Sequence, residues 1–503
     1  MKVSLVRIPT IIDAFASTAP ICPPIGLAYL KRVVSAFAKE IQIIDSVGNF
    51  PKIRSIVSEG YSCKLIGQTK DEIIDLLWSD ADIVLVSCMF SHDWKYACSI
   101  LKGIRTKCSQ ALVIAGGEHI TAVPEYSMKS SAEIDVCVLG GGESIIHDVL
   151  EAFLGNKQDL KTVPGTYIRN GASEIIKNII NTRIRRKDKI FWPDWEGFPL
   201  ENYFSEGHGF GVNLGGRTMP IVASRGCPYQ CTFCSSSRMW TTYWKPRDPQ
   251  DVINEMKYYV EKYQITNFDF YDLTAIVQKK WIILFCKLLL KSGLKISWQL
   301  PSGTRSEAVD SEVARLLYQS GCRNMSFAPE SGSLEILKLI KKKVNLPKMI
   351  QSMKSCVAEG VSIKVNIICG FPQERWKHLL ETLKLIVQSG WVGCDDLSIN
   401  QFSPYPGSEL FESLQKTNKI KLDNQYFIGL SYYSSMTNAQ SYSDYLSNFD
   451  ILLYKAIGTS LFYGVSIMRR PWRIISIFTN VSKGKETTRL EKTLISFVNR
   501  FNN

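Results

Sequence analysis

Apolar and polar positions alternate in two separate series along the chain. In the first, residues 3–8, 41–44, 83–88, 112–115 and 134–139 form short apolar runs with little polar interruption. That is the pattern of parallel strands covered on both faces. Amphipathic stretches lie between them: 27–38, a helix continuing through 73–77, 94–105, and a run ending at Leu154. Pro23-Pro24-Ile25-Gly26 opens the first of these, with proline placed where a helix starts. Strand and helix in turn predict a Rossmann-like, doubly wound parallel sheet over residues 1–155.

The second series starts at Met219. Strands are predicted over 219–224, 266–271, 295–299, 323–328, 361–368 and 396–402. Helices are predicted over 251–263, 280–291, 311–320, 376–388 and, as a pair, across 334–359. Six such repeats predict a partial (β/α)6 barrel over 218–420. Residues 156–217 show no clean period and read as a linker through 175–180, 183–189 and the aromatic run Phe191 to Phe198. Its aromatics are expected to pack the linker down. Residues 421–503 read as a helical C-terminal region.

Ligands of both architectures bind beyond the carboxyl ends of the strands, so those positions were read for chemistry. In the first series they are Ser87-Cys88-Met89-Phe90-Ser91-His92-Asp93-Trp94, Gly116-Gly117-Glu118-His119 and Gly140-Gly141-Gly142-Glu143. Glycines at two adjacent strand ends let a bulky group approach the backbone, although tight turns are the plain alternative. In the second series they are Asp272, Gln299, Glu330-Ser331-Gly332, Gly370-Phe371-Pro372 and Pro404-Tyr405-Pro406-Gly407. For any one polar residue there, a helix cap is as good a reading as a ligand contact. Trp240, Tyr243, Trp244 and Arg247 either line a pocket or pack the loop before them. That loop, Cys227-Pro228-Tyr229-Gln230-Cys231-Thr232-Phe233-Cys234, follows the first barrel strand across the Arg225-Gly226 bend. Its thiolates can hold three irons of a four-iron cluster and leave the fourth open to chemistry. A zinc site would want a fourth ligand, and neither His208 nor Cys286 stands at matching spacing.

The C-x3-C-x2-C triplet, with Phe233 before its last cysteine, resembles the signature of the radical SAM family. Pro23 to Leu27, Gly116 to His119 and Gly140 to Glu143 are similar to the cobalamin-binding domain that precedes many radical SAM cores. The resemblance covers residues 1 to about 410. It implies a [4Fe-4S] cluster on Cys227, Cys231 and Cys234. It implies S-adenosylmethionine (SAM) on the open iron, near Phe233, Asp272, Gln299, Glu330, Ser331, Gly370 and Phe371, although the family's usual Gly-Gly-Glu is absent. It implies cobalamin over Pro24, Gly26, Leu27, Ser87, Met89, Phe90, Gly116, Gly117, His119, Gly140, Gly141, Gly142 and Glu143. The D-x-H-x-x-G motif of other B12 proteins is missing, since His119 has Gly117 two before it and Ala122 three after it. Cobalamin would then sit with its own base displaced and no histidine in its place, its lower face capped by the 89–94 loop or open.

The implied reaction is methylation of an unactivated carbon or a phosphinate centre through a 5′-deoxyadenosyl radical and methylcobalamin. Cyclisation, ring contraction or C–C coupling is the alternative with the same cofactors. A zinc-stabilised protein binding nucleic acid or membrane is the alternative from another class. The implied partners are a small-molecule, lipid-like or peptide substrate and an electron donor such as flavodoxin or ferredoxin.

Composition changes this picture in three places. Of the fourteen cysteines, eleven stand singly, mostly in apolar runs, which suits a reducing, cytoplasmic setting rather than a disulfide framework. The first apolar run is broken by Arg7, Pro9 and Asp13 and reads as a strand, not a signal peptide. The formal charge is +13, and over half of it lies from Lys455 onward, Lys455 included. Residues 451–468 carry a single charge, Lys455, and Arg469-Arg470-Pro471-Trp472-Arg473 follows directly. That length is borderline for a span and fits a lid, a core helix or a contact of 451–473 with the inner membrane face. No aromatic RNA-binding pair accompanies the basic end, so nucleic acid is not expected.

Overall fold

The protein is described by a computed structural model over residues 1–14, 21–58, 61–155, 159–171, 174–178, 190–240, 242–304, 308–483 and 487–501. Its first sheet holds parallel strands β1 (Lys2–Arg7), β2 (Glu40–Asp45), β3 (Ile83–Ser87), β4 (Leu112–Gly116) and β5 (Val136–Val138), in the order β2-β1-β3-β4-β5. Val3, Leu5, Ile83, Leu85, Val113 and Val136 are buried, as strands covered on both faces require. Asp45, Arg7, Ser87 and Gly116 fall in one register row, so the carboxyl ends form a common edge. Helices α1 (Ile25–Val34), α2 (Trp94–Lys107) and α3 (Gly142–Leu154) match predicted stretches.

The sheet does not stop at residue 155. β6 (Thr166–Asn170) and β7 (Glu174–Asn178) extend it as an antiparallel hairpin beside β5. This corrects the linker reading over that segment. The strands are five residues each and carry Arg169, Asn170, Glu174, Lys177 and Asn178, the polar marking of an edge. A second unpredicted feature is the small antiparallel sheet of Thr10–Asp13, Tyr61–Ile66 and Ile53–Ser58. Residues 179–189, part of the linker reading, lie outside the described residues. Further on, Trp195, Phe198 and Tyr203 are buried, so the connector's aromatics do pack it down.

The second sheet runs in strict sequence order, all parallel: β8 (Thr218–Ile221), β9 (Asn267–Phe270), β10 (Ser297–Thr304), β11 (Cys322–Glu330), β12 (Ser362–Cys369) and β13 (Asp396–Gln401). β10 runs five residues past its predicted end. The strand continues through Pro301 and Gly303 by a register shift between Leu300 and Gly303. Phe270, Phe285 and Trp298 pack edge-on and tilted behind these strands, with centroids 5.2–5.7 Å apart.

Helix α4 (Trp376–Val392) precedes β13, and α5 (Asn448–Arg469) lies along both. Gly458 permits the close approach: a Cβ there would stand 2.5 Å from Ile399 Cδ1. Helix α6 (Arg473–Ser482) follows. The stretch before α5 ties the halves together. Ser435 Oγ and Asn438 Nδ2 each donate to the buried Asp13 carboxylate at 2.8 Å.

Candidate active site between the two sheets

The cysteine loop leaves β8 through Ser224–Arg225, which pairs with Lys245–Pro246. Gly226 is fixed there by geometry. Its φ is +79°, and a Cβ would stand 2.1 Å from the Tyr243 carbonyl oxygen. Thr232 N donates to Ile340 O at 3.0 Å, and Leu410 N donates to Thr232 O at 2.9 Å. The loop is thus pinned by backbone on both sides, whatever side chains it carries.

None of the fourteen cysteines is in a disulfide. Burial pushes the Cys231 thiol up to about 11 and raises Cys234 as well. Lys342 opposes both shifts. Its own ammonium stays charged against burial because Glu330 stands 2.8 Å away and the thiols are near. Among the described residues, one trio of His, Cys, Asp or Glu donor atoms lies within 4.8 Å of one another: the exposed His147, Asp148 and Glu151. The three thiols form no such trio. A lone tetrahedral zinc would draw its sulfurs to about 3.8 Å of each other, given bonds of roughly 2.3 Å. Three half-buried thiols on one short loop, with Lys342 favouring ionisation of Cys231 and Cys234, fit a cluster that takes three protein ligands.

The predicted SAM contacts divide. Phe233 lies 5.8 Å from Phe371, which is 5.3 Å from Phe402, forming an apolar wall beside the cysteines. Glu330 ends β11 with φ +67°, a strained conformation for a carboxylate residue, and faces Lys342. Gly370 N donates to Glu374 Oε2 at 2.5 Å, and burial raises Glu374 to about 7 while its Oε1 has no partner. Asp272 is buried and raised to about 6 by burial. It accepts from Ala223 N at 3.0 Å and Ser224 Oγ, so it fixes the strand end leading into the cysteine loop.

Two predicted contacts are engaged elsewhere. Ser331 Oγ is 3.1 Å from Thr382 Oγ1 and accepts from Ser333 N, turned into α4. Gln299 lies in the lower part of β10 rather than at its end, because the strand is longer than predicted. Its amide bonds Val212 N and O at 3.0 and 2.9 Å and Asp269 Oδ1 at 2.7 Å, leaving nothing for a ligand.

Asp269 in turn accepts from Phe210 N and Gly211 N at 2.8 and 2.9 Å, holding the connector to the barrel. Burial raises its carboxyl from 3.8 to about 6. The folded protein therefore binds this proton more tightly than the unfolded chain, and that contribution to stability is lost as pH rises from about 4 through 6. Asp269→Asn is expected to destabilise by about 1–3 kcal/mol at pH 4, because its one amide oxygen can still serve Phe210 N and Gly211 N but its NH2 then faces Gln299 Nε2, which loses its acceptor. The deficit is expected to shrink by on the order of 2 kcal/mol at pH 7. Unfolding of both proteins at the two pH values checks this; an unchanged deficit would refute it.

The glycine-lined ends of the first sheet face the cysteine loop. Ser235 Oγ donates to Glu118, and Arg225 donates to Glu143 while lying 4.7 Å from the centre of the Tyr29 ring. Glu143 is thus held by the barrel. Gly117 has φ +111°, and a Cβ would stand 2.5 Å from the Cys88 carbonyl oxygen. Gly140 N donates to Thr121 Oγ1 at 2.9 Å, while a Cβ on Gly26 would meet nothing within 4 Å. Pro24 caps α1, Leu27 packs inward, and Gly141 caps α3. Ser87 and Gly116 close the register row below, and Gly142 lies over Leu30. Met89 and Phe90 are exposed on the loop after β3.

His119 is buried and stacked on Trp94 at 4.5 Å, with Nδ1 2.9 Å from Ser91 Oγ. Burial lowers it to about 3, so it stays neutral, and its Nε2 has no hydrogen-bond partner. The open Cβ side of Gly26, Gly116 with no neighbour nearer than 3.9 Å to a Cβ there, and exposed Met89 and Phe90 fit a cradle for a flat, bulky cofactor, while His119 is buried between Trp94 and Phe427.

Lys342, Arg225 and Glu374 were not singled out as site residues from sequence. Lys342 stands in Lys341-Lys342-Lys343, a run that reads as a solvated face. Arg225 was read as a bend, and Glu374 carried no pattern.

Comparison with known proteins agrees with this geometry. A family model described as the radical SAM superfamily matches residues 221–386, and one described as the B12 binding domain matches 12–150. An uncharacterized methyltransferase of Pyrococcus horikoshii, PH0819, is 29% identical over 421 residues, covering 82% of this chain and 83% of that one. An anaerobic magnesium-protoporphyrin IX monomethyl ester cyclase of Cereibacter sphaeroides is 26% identical over 310 residues, 61% of this chain and 48% of that one. The solved structure of the radical SAM methyltransferase TsrM of Kitasatospora setae, with cobalamin and a [4Fe-4S] cluster bound, superposes with a TM-score of 0.64. It is 13% identical, covering 92% of this chain and 90% of that one.

Proposed function

The chain belongs to the cobalamin-binding radical SAM enzymes, and from that premise we propose that it methylates an unactivated carbon or phosphinate centre of a small-molecule substrate. The observation that carries this reading is the meeting of two strand-end rims. The cysteine loop of the barrel and the glycine edge of the first sheet are joined through Ser235–Glu118 and Arg225–Glu143.

When bound, the cluster, SAM and cobalamin supply the reducing electron, the hydrogen-abstracting equivalent and the methyl group. The chain supplies placement. Cys227, Cys231 and Cys234 would hold the cluster, and Lys342 favours the ionised form of Cys231 and Cys234. Asp272 keeps the strand end in line. Phe233, Phe371 and Phe402 form an apolar wall that excludes water from one side. Glu330 offers a carboxylate, steadied by Lys342, to the polar groups of SAM. Gly116, Gly117, Gly140 and Gly141 would let a corrin ring approach the backbone, with Met89 and Phe90 available to cover it.

The reading includes an electron donor such as flavodoxin or ferredoxin, a cytoplasmic location and a contact of residues 451–473 with the inner membrane face. Cyclisation is the second reading, favoured by the cyclase relative. Product mass separates the two: a gain of one methylene supports methylation, and a loss of hydrogen without added carbon supports cyclisation. Anaerobic purification is expected to give about four irons, four sulfides and one cobalt per chain, by the cluster and cofactor types proposed. One zinc and no sulfide would sink both readings.

A further inference from the structure

Helix α5 is the one helix among the described residues long and apolar enough to cross a membrane. The structure gives that apolarity two destinations. Tyr454, Gly458, Phe462 and Ser466 are buried against α4 and β13. The opposite face stays exposed and is apolar too, through Leu453, Leu461 and Met468. It continues past the turn as Trp472, Ile475 and Phe478, with Met468, Ile475 and Phe478 70–72% exposed and Trp472 61%. Trp391 of α4 borders the strip, with Arg469 6.0 Å over its ring.

Ile475 and Phe478 stand three apart on α6, with Trp472 at its N-cap, so these side chains share one side of that helix. Arg470 and Arg473 fix that orientation from behind, donating to Cys394 O at 3.0 and 3.3 Å. No acidic residue occurs between Ile451 and Lys483, while Arg469 and Lys483 are exposed. An exposed apolar strip of this length on a soluble fold marks an interaction site.

We propose that this strip, from Leu453 to Phe478, seats the enzyme on an anionic bilayer surface, with α5 lying in the interface rather than spanning it. The proposal deepens the peripheral contact inferred above and rests on no step of the chemistry. The inner face of α5 is committed to the barrel, which rules out a span. Charge decides between occupants. A second copy meeting strip to strip would bring Arg469 and Lys483 against their like, since a two-fold contact pairs a patch with itself. Anionic headgroups complement those cations, and Trp472 and Trp391 suit the headgroup level.

The test is co-sedimentation of the full, anaerobically purified chain with vesicles of phosphatidylglycerol and phosphatidylcholine, beside phosphatidylcholine alone. Wild type is expected to sediment with the anionic vesicles and to be released by salt. Trp472→Ala/Ile475→Ser/Phe478→Ser is expected to lower the partition coefficient on the order of a hundredfold, from the apolar surface removed. Arg469→Glu/Lys483→Glu is expected to abolish the preference for anionic lipid. These positions are exposed, so circular dichroism and the 5′-deoxyadenosine yield in lipid-free buffer should match wild type. Equal sedimentation of wild type and triple variant would overturn the proposal. So would a wild-type dimer in ultracentrifugation that the triple variant converts to monomer.

Discussion

Cys231→Ala is expected to fold normally and to be colourless. Its absorbance near 400 nm should vanish after reconstitution, and 5′-deoxyadenosine should fall to the level of a protein-free control. The fold survives because the loop is held by Thr232 N to Ile340 O and Leu410 N to Thr232 O, not by the thiol. The chemistry does not, because two thiolates cannot keep three irons in place. The loss should exceed the roughly 10–100-fold typical of residues that merely support metal ligands. Iron analysis with a thermal melt checks both halves. A variant that keeps four irons would show that the cluster sits elsewhere; one that fails to fold would show that the thiol is structural.

Gly117→Ala carries the second large effect. At φ +111° and ψ −177° the backbone occupies a region that side-chain-bearing residues avoid almost completely. The added Cβ also meets the Cys88 carbonyl oxygen at 2.5 Å, a backbone atom that cannot swing away. Destabilisation of about 2–4 kcal/mol is expected from strain and overpacking together. The turn must open at the place proposed for the corrin ring, so cobalamin retention should drop at least about tenfold, as for other changes beside a bound metal centre. Iron content should stay unchanged, since the cysteine loop lies across the interface. Equilibrium dialysis with aquocobalamin, together with cobalt and iron analysis, reads both effects. Unchanged cobalamin affinity would remove Gly117 from the cradle.

Much of this fold was legible because its two sheets are parallel and buried. Strands such as 3–8 and 83–88 are nearly unbroken apolar runs, and little else in a soluble chain looks like them. The hairpins were not legible for the complementary reason. Glu174–Asn178 and Ile53–Ser58 are short, partly polar edges, whose pattern does not differ from loop. Gln299 was placed at a strand end because the strand's last five residues follow a register shift that depends on the neighbouring strand.

The site followed the same division. The cysteines announced themselves by spacing, and the glycine pairs by position. Lys342, whose contact with Glu330 depends on chain folding across twelve residues, resembled its two lysine neighbours. Helix α5 was ambiguous at the level of pattern: both its faces are apolar, so periodicity could not say which one the barrel takes.

The central claim is that three thiolates leave one iron open to SAM. Protein reconstituted without air to a full complement of iron and sulfide, then given SAM and dithionite, should release 5′-deoxyadenosine, detectable by mass. Fully loaded protein that releases none would contradict the account.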